Sequence, residues 1–193
     1  MGLTDIKKEL KNLDKDQLIN LIADLYKNNK SVKEYFDFYV NSDSGELFEK
    51  YREKIFNAFF PKRGTTYKLK DGKQAITDFK KNGGSADLVA DLMLFYVEMG
   101  VEFTNNYGDI NESFYKSVAR MYLDALILIK KENLLDKFYQ RSFKAVHESD
   151  GIGWGFHDFL WDTYVDFYPE EFGESIEPET KDKEAKIIKL GGQ

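Results

Sequence analysis

His147 and His157 are the two histidines of the chain, and each sits beside carboxylates, in His147-Glu148-Ser149-Asp150 and in His157-Asp158. Imidazole and carboxylate together ligate zinc, manganese or iron, and a divalent ion so held can activate water. Glu98 and Glu102 stand one helical turn apart, which puts both carboxylates on one helix face. If that helix packs against residues 147 to 158, His147, His157, Glu98, Glu102, Asp150 and Asp158 form a candidate divalent-metal site for a metal-assisted hydrolase. The spacing carries no protease signature, because neither His-Glu-x-x-His nor Glu-x-x-His occurs. Helix-junction hydrogen bonds are the competing use of the same side chains. No other cofactor is indicated. Lys70-Asp71-Gly72-Lys73 lacks the glycine-rich loop and Gly-Lys-Ser/Thr of a P-loop, and Ser149 beside His147 is too local for a Ser-His-acid relay. The chain has no Cys, which removes disulfides, thiolate zinc sites and cysteine nucleophiles.

Charge is the stronger signal. Residues 50 to 81 hold ten Lys or Arg against three acids, while residues 82 to 179 hold seven against nineteen, inside a net charge of −6. Lys54, Lys62, Arg63, Lys68, Lys70 and Lys73, with Tyr67 as a stacking ring, make a candidate basic face. Such a face fits an acidic protein surface, the acidic part of a second copy, or the phosphates of a nucleic acid. Pairing with the acidic half of the same chain is the plain alternative. A non-enzymatic interaction or scaffolding role through residues 50 to 81 is therefore the favoured expectation. The metal-assisted hydrolase and a nucleic-acid-associated helical protein are the alternatives.

The elements that must position these residues are helical. Thr4 opens a short helix, and Asp14-Lys15-Asp16-Gln17 reads as a capping box before Leu18, Leu21, Ile22 and Leu25, which share one face. Val32, Tyr35, Phe36 and Tyr39 form a further stripe expected to pack in a core, with Ser31 as its cap. Leu47, Phe48, Tyr51, Ile55, Phe56 and Phe59 define a helix that stops before Pro61. A basic connection leads to a helix carrying Ile76 and Phe79, which Gly83-Gly84 ends. Ser85 caps a helix to about Phe103 whose apolar residues cover most of its circumference. Phe114 to Ile129, Leu134 to Val146 and Phe156 to Phe167 give three more. Trp154, between Gly153 and Gly155, is expected to lock a helix-loop contact, with a ligand platform as the sharper reading; Trp161 is expected to pack in or near the core.

The expected fold is all-α, an irregular antiparallel bundle or alpha-alpha array of eight to nine helices. Residues 1–169 are expected as a single domain, or as two intimately packed subdomains, 1–60 and 71–169, followed by a polar, mobile tail, 170–193. Met1-Gly2-Leu3-Thr4-Asp5 carries neither the basic start nor the apolar run of a signal peptide, and no stretch reaches membrane-spanning length, so a cytoplasmic protein without membrane contact is expected.

Leu18 to Tyr39, Asp87 to Glu102, Glu112 to Tyr122 and Gly153-Trp154-Gly155-Phe156-His157 resemble an uncharacterised family of small bacterial proteins, DUF6155. The resemblance spans most of residues 3 to 167. It implies a bacterial source and supplies no active residues.

Overall fold

The reciprocal cap expected at Asp14 is present: its carboxylate accepts the Gln17 backbone N–H at 2.8 Å, and the Gln17 side chain accepts that of Asp14 at 2.9 Å. The computed structural model describes residues 2–40, 45–63 and 66–169, and among these the chain is all-α, with nine helices and no strand. They are α1 (Leu3–Leu10), α2 (Lys15–Asn28), α3 (Lys30–Val40), α4 (Gly45–Phe59), α5 (Leu69–Lys81), α6 (Ala86–Tyr107), α7 (Glu112–Lys131), α8 (Leu135–Glu148) and α9 (Phe156–Phe167). The tail 170–193 lies outside the described residues. The chain divides into two compact units, Met1–Ser44 and Gly45–Gln193.

In the first unit α2 packs on α3, where the Tyr26 hydroxyl donates to Asp37 at 2.7 Å. Asn29 rather than Ser31 caps α3, its side-chain oxygen accepting the N–H groups of Ser31 and Val32 at 3.0 and 3.2 Å. Neither α1 nor α2 buries a residue. The α3 stripe expected to pack in a core is covered only in part, with Val32 and Phe36 half-buried but Tyr35 48% and Tyr39 72% exposed, and on α2 Leu25 is 47% exposed. Three short helices enclose too little volume to cover their own apolar faces.

The second unit is built around α6, which is contacted by α4, α5, α7 and α8, while α9 lies on α7 and α8. Leu92, Leu94, Tyr96, Val97 and Val101 are all buried, so nearly every side of α6 faces protein, as its composition requires. Gly100 permits the close approach of α7: a Cβ built there would stand 2.6 Å from a Val118 methyl. Two of the buried tyrosines have partnered hydroxyls, Tyr96 with Ser117 Oγ at 2.8 Å and Tyr122 with the Ser142 carbonyl at 3.0 Å.

Helix ends follow local chemistry. Asn133 adopts φ 56 and closes α7, with the Leu134 N–H donating to the Ile129 carbonyl at 2.8 Å. Gly83 does the same for α5, at φ 100, with Gly84 donating to Phe79. Ser85 stands at the start of α6, yet its hydroxyl turns to Asp87 instead of capping a backbone group. α6 continues four residues past the expected end at Phe103, because the stop is Gly108 with φ 80.

Candidate interaction surface

The corner between α4 and α5 is assembled by aromatic packing. After Pro61 the chain returns to α4, where the Lys68 N–H donates to the Ala58 carbonyl at 2.6 Å. Tyr67 is the anchor of this return. Its ring meets Phe103 and Phe114 edge-on at 5.5 and 5.1 Å, and its hydroxyl accepts from the Asn111 side chain at 2.9 Å. The ring expected as a stacking platform is thus occupied by its own neighbours. Other rings are open: Phe56 stacks on Phe60 at 5.1 Å, and Phe60 lies 6.3 Å from Tyr107. Phe56 is 42% and Tyr107 66% exposed. Sequence periodicity placed Phe56 on the apolar stripe of α4; the four-residue spacing of Phe56 and Phe60 was the available sign of a paired aromatic edge.

The basic residues fall into two groups. Lys62 pairs with Glu53 at 2.8 Å and holds that carboxyl below its ordinary range. Lys54 lies over the Tyr51 ring at 4.2 Å. Lys73 is half-buried, and burial lowers its amine's affinity for a proton, opposed by Asp124 and reinforced by Arg120. Arg63, Lys68 and Lys70 are exposed and have no carboxylate partner among the described residues; the same holds for Lys50, Lys80 and Lys81. The cations of the acidic half pair with acids of that half, which still outnumber them. Lys116 pairs with Glu112, Arg120 with Asp124, Lys131 with Glu132, Lys137 with Asp87, Arg141 with Asp91 and Glu98, and Lys144 with Glu148.

The six candidate metal ligands do not gather. Among the described residues no group of three or more His, Asp or Glu side chains is arranged to hold an ion. Glu98 faces Arg141, which reaches it through Nε at 2.6 Å and Nη2 at 2.9 Å and reaches Asp91 through Nη1 at 2.6 Å. Burial works against the Arg141 charge, but Glu98 and then Asp91 outweigh it and hold the guanidinium more firmly protonated than usual. These groups line an open cleft of about 480 Å³ with Phe48, Arg52, Gln140 and Lys144. Glu102, His147, Asp150 and Asp158 are exposed. His157 Nδ1 lies 3.0 Å from Ser149 Oγ, and that hydroxyl spends its proton on the Val146 carbonyl at 2.6 Å, so Nδ1 is the donor. This joins the end of α8 to the start of α9.

Trp154 is pinned at the junction. Its indole N–H donates to Asp109 at 3.0 Å, the Tyr115 hydroxyl donates to the other Asp109 oxygen at 2.9 Å, and the two rings lie 6.5 Å apart with their planes inclined by 28°. Trp154 and Gly155 take φ 64 and 65, which turns the chain sharply into α9, while Gly153 has open space around it. Trp161, on α9, is 39% exposed. No helix among the described residues is long and apolar enough to cross a membrane.

No curated protein and no solved structure matches the chain. A family model does, over residues 1–159, and the chain belongs to that family, described as Family of unknown function (DUF6155).

Proposed function

We propose that this protein is a non-enzymatic interaction protein that receives an acidic segment of a partner protein on the α4–α5 corner. The observation that carries this reading is the uneven pairing of its cations. The Lys and Arg of the acidic half pair with carboxylates of that same half, whereas Arg63, Lys68 and Lys70 have no carboxylate partner among the described residues. Internal complementarity, the plain explanation for the charge split, therefore does not account for these three.

The corner also has the composition of a recognition surface. Exposed rings of Phe56 and Tyr107 rest on Phe60, two residues before Lys62 in the chain, and Tyr67 holds Lys68 against the end of α4. Aromatic area supplies affinity with little side-chain entropy to lose, and surrounding cations supply orientation and a faster encounter. Acidic protein is favoured over nucleic acid because Tyr67, the ring expected from the sequence to stack a base, is already packed against Phe103 and Phe114; the open rings of Phe56 and Tyr107 make the oligomer the competing probe.

A polyglutamate peptide and a single-stranded DNA oligomer of equal charge serve as probes. The peptide is expected to bind the full chain in a salt-sensitive manner, and binding is expected to vanish when Lys62, Arg63, Lys68 and Lys70 are all changed to Glu with an unchanged circular-dichroism spectrum. Tyr107→Ala should weaken binding without removing its salt dependence. Peptide binding that survives the four reversals, or tighter binding of the oligomer, sinks the reading.

A further inference from the structure

We infer that the cleft between α4 and α8 is a binding site for a small organic carboxylate, held by the guanidinium of Arg52. The cleft, about 480 Å³, is lined from three helices: Phe48 and Arg52 come from α4, Asp91 and Glu98 from α6, Arg141 and Lys144 from α8. That volume suits a small molecule. Arg141 is already engaged, since its Nε and Nη2 hold the two oxygens of Glu98 and its Nη1 holds Asp91. Arg52 is placed differently. Its Nη1 meets Glu49 at 3.2 Å and its guanidinium lies over the Phe95 ring at 4.4 Å. Among the described residues Nη2 has no hydrogen-bond partner, and Nε is buried without one.

The class of ligand follows from that free edge. In Arg141 the edge formed by Nε and Nη2 carries a carboxylate by two parallel hydrogen bonds, and in Arg52 the same edge carries nothing from the chain. A buried donor without a partner is costly and calls for an acceptor from outside the chain. A planar carboxylate supplies two acceptors at the spacing of the edge. The charges agree with this. Three cations and two carboxylates line the cleft, and Arg141 engages both carboxylates, so the excess suits a single negative charge and not a phosphate dianion. The competing pairs of the other two cations are weak: Glu49 and Glu148 meet Arg52 and Lys144 at 3.2 and 3.5 Å from side chains 63% and 46% exposed, where water and salt exchange them readily. Phe48, half-buried, offers an apolar contact for the carbon skeleton of the ligand. Because Nε is covered, the carboxylate reaches it as the guanidinium turns on the Phe95 ring, a turn opposed on its charged side by the exposed Glu49 pair. The site shares no residue with the α4–α5 corner and does not depend on it.

Nitrogen-15 spectra of the full chain are the test. Arg52, Arg63, Arg120 and Arg141 are its arginines, each with one Nε–H signal, and that of Arg52 is assigned by its loss in Arg52→Lys. Acetate, butyrate and benzoate at constant ionic strength are the probes, with benzamide as the uncharged control and inorganic phosphate as the competing anion. The Arg52 signal is expected to move saturably, with binding tighter from acetate to benzoate as the apolar part grows, while benzamide leaves it in place. Arg52→Lys keeps the charge and loses the edge, so benzoate binding, followed on the backbone amides of α8, should weaken by about tenfold with the helical spectrum intact. Phe48→Ala should remove the advantage of benzoate over acetate and leave acetate binding as it was. An Arg52 signal indifferent to all three carboxylates overturns the inference, as does wild-type affinity in Arg52→Lys. Phosphate bound more tightly than benzoate overturns the carboxylate class. The four Glu substitutions at the basic corner should leave benzoate binding unchanged, and its loss there overturns the assignment to the cleft.

Discussion

Arg141 on α8 holds Glu98 on α6 by two parallel hydrogen bonds, Nε to Oε1 at 2.6 Å and Nη2 to Oε2 at 2.9 Å. The fork of the guanidinium matches the carboxylate, and the third arm of Arg141 meets Asp91 two turns earlier on α6. All three side chains are mostly covered, at 24%, 20% and 29% exposure, so the pairing is screened less than a surface ion pair. Removing the cation alone leaves two carboxylates facing the same space. Arg141→Ala is therefore expected to cost about 3 kcal/mol in urea unfolding, and Arg141→Lys, which keeps the charge and loses the fork, about half of that. An Arg141→Ala chain as stable as wild type would show the clamp to be energetically idle.

Trp154 offers a reversal of the usual order of substitutions. Its ring contact with Tyr115 and its bond to Asp109 favour keeping it, but its backbone sits at φ 64, where a Cβ is a burden. Trp154→Ala loses the contacts and keeps the burden, so a loss of about 2 kcal/mol is expected for this 40% exposed side chain. Trp154→Gly loses the same contacts and relieves about 1 kcal/mol of backbone strain. The glycine variant should melt at a higher temperature than the alanine variant. The opposite order would mean that the turn is held by something other than local conformation.

What could be read from the residues alone follows from how far apart the deciding groups lie. The α2 cap needs only Asp14 and Gln17, and the breadth of apolar residues on α6 needs only one helix, so both were legible. Glu98 and Glu102 do share a helix, but Glu98 faces Arg141, forty-three positions on, and that choice depends on how α8 lies against α6. Tyr67 is similar: its use as an anchor rests on Phe103 of α6, Phe114 of α7 and Asn111, the cap of α7, all far along the chain. The openness of Leu25 and Tyr39 was hidden for a different reason. Periodicity shows that a face is apolar, and says nothing of whether the same chain supplies its cover.

Gly100 and Val118 define the spacing of α6 and α7. An alanine at 100 would bring its Cβ within 2.6 Å of one Val118 methyl and 2.9 Å of the other. Both positions lie deep in the core, so Gly100→Ala is expected to destabilise by about 2 kcal/mol despite the better helix propensity of alanine. Val118→Ala alone opens a cavity and costs about 1–3 kcal/mol. In the double variant the new methyl occupies part of the vacated space. The sum of the single losses should exceed the double loss by at least about 1 kcal/mol in a double-mutant cycle; additive losses would place the strain elsewhere.

Alkaline unfolding should report the buried tyrosines. Burial pushes the Tyr96 phenol up from 10.0 to about 12, partly opposed by its bond to Ser117, and burial pushes Tyr122 well above the ordinary value. The unfolded chain releases these protons at lower pH than the folded chain does. The neutral phenols therefore contribute stability in full below about pH 10, and for Tyr96 that contribution is lost as pH rises from 10 through about 12. Amines in general lose their protons over much of the same range, so the hydroxyl itself must be removed to separate the two effects. Tyr96→Phe is expected to cost about 1 kcal/mol at neutral pH, from the lost bond to Ser117, and to unfold less steeply with rising pH than wild type. Urea midpoints measured at intervals from neutral pH to about pH 12 give the comparison. Parallel curves for the two chains would mean that the Tyr96 phenol ionises no later folded than unfolded, contrary to its burial beneath α5 and α7.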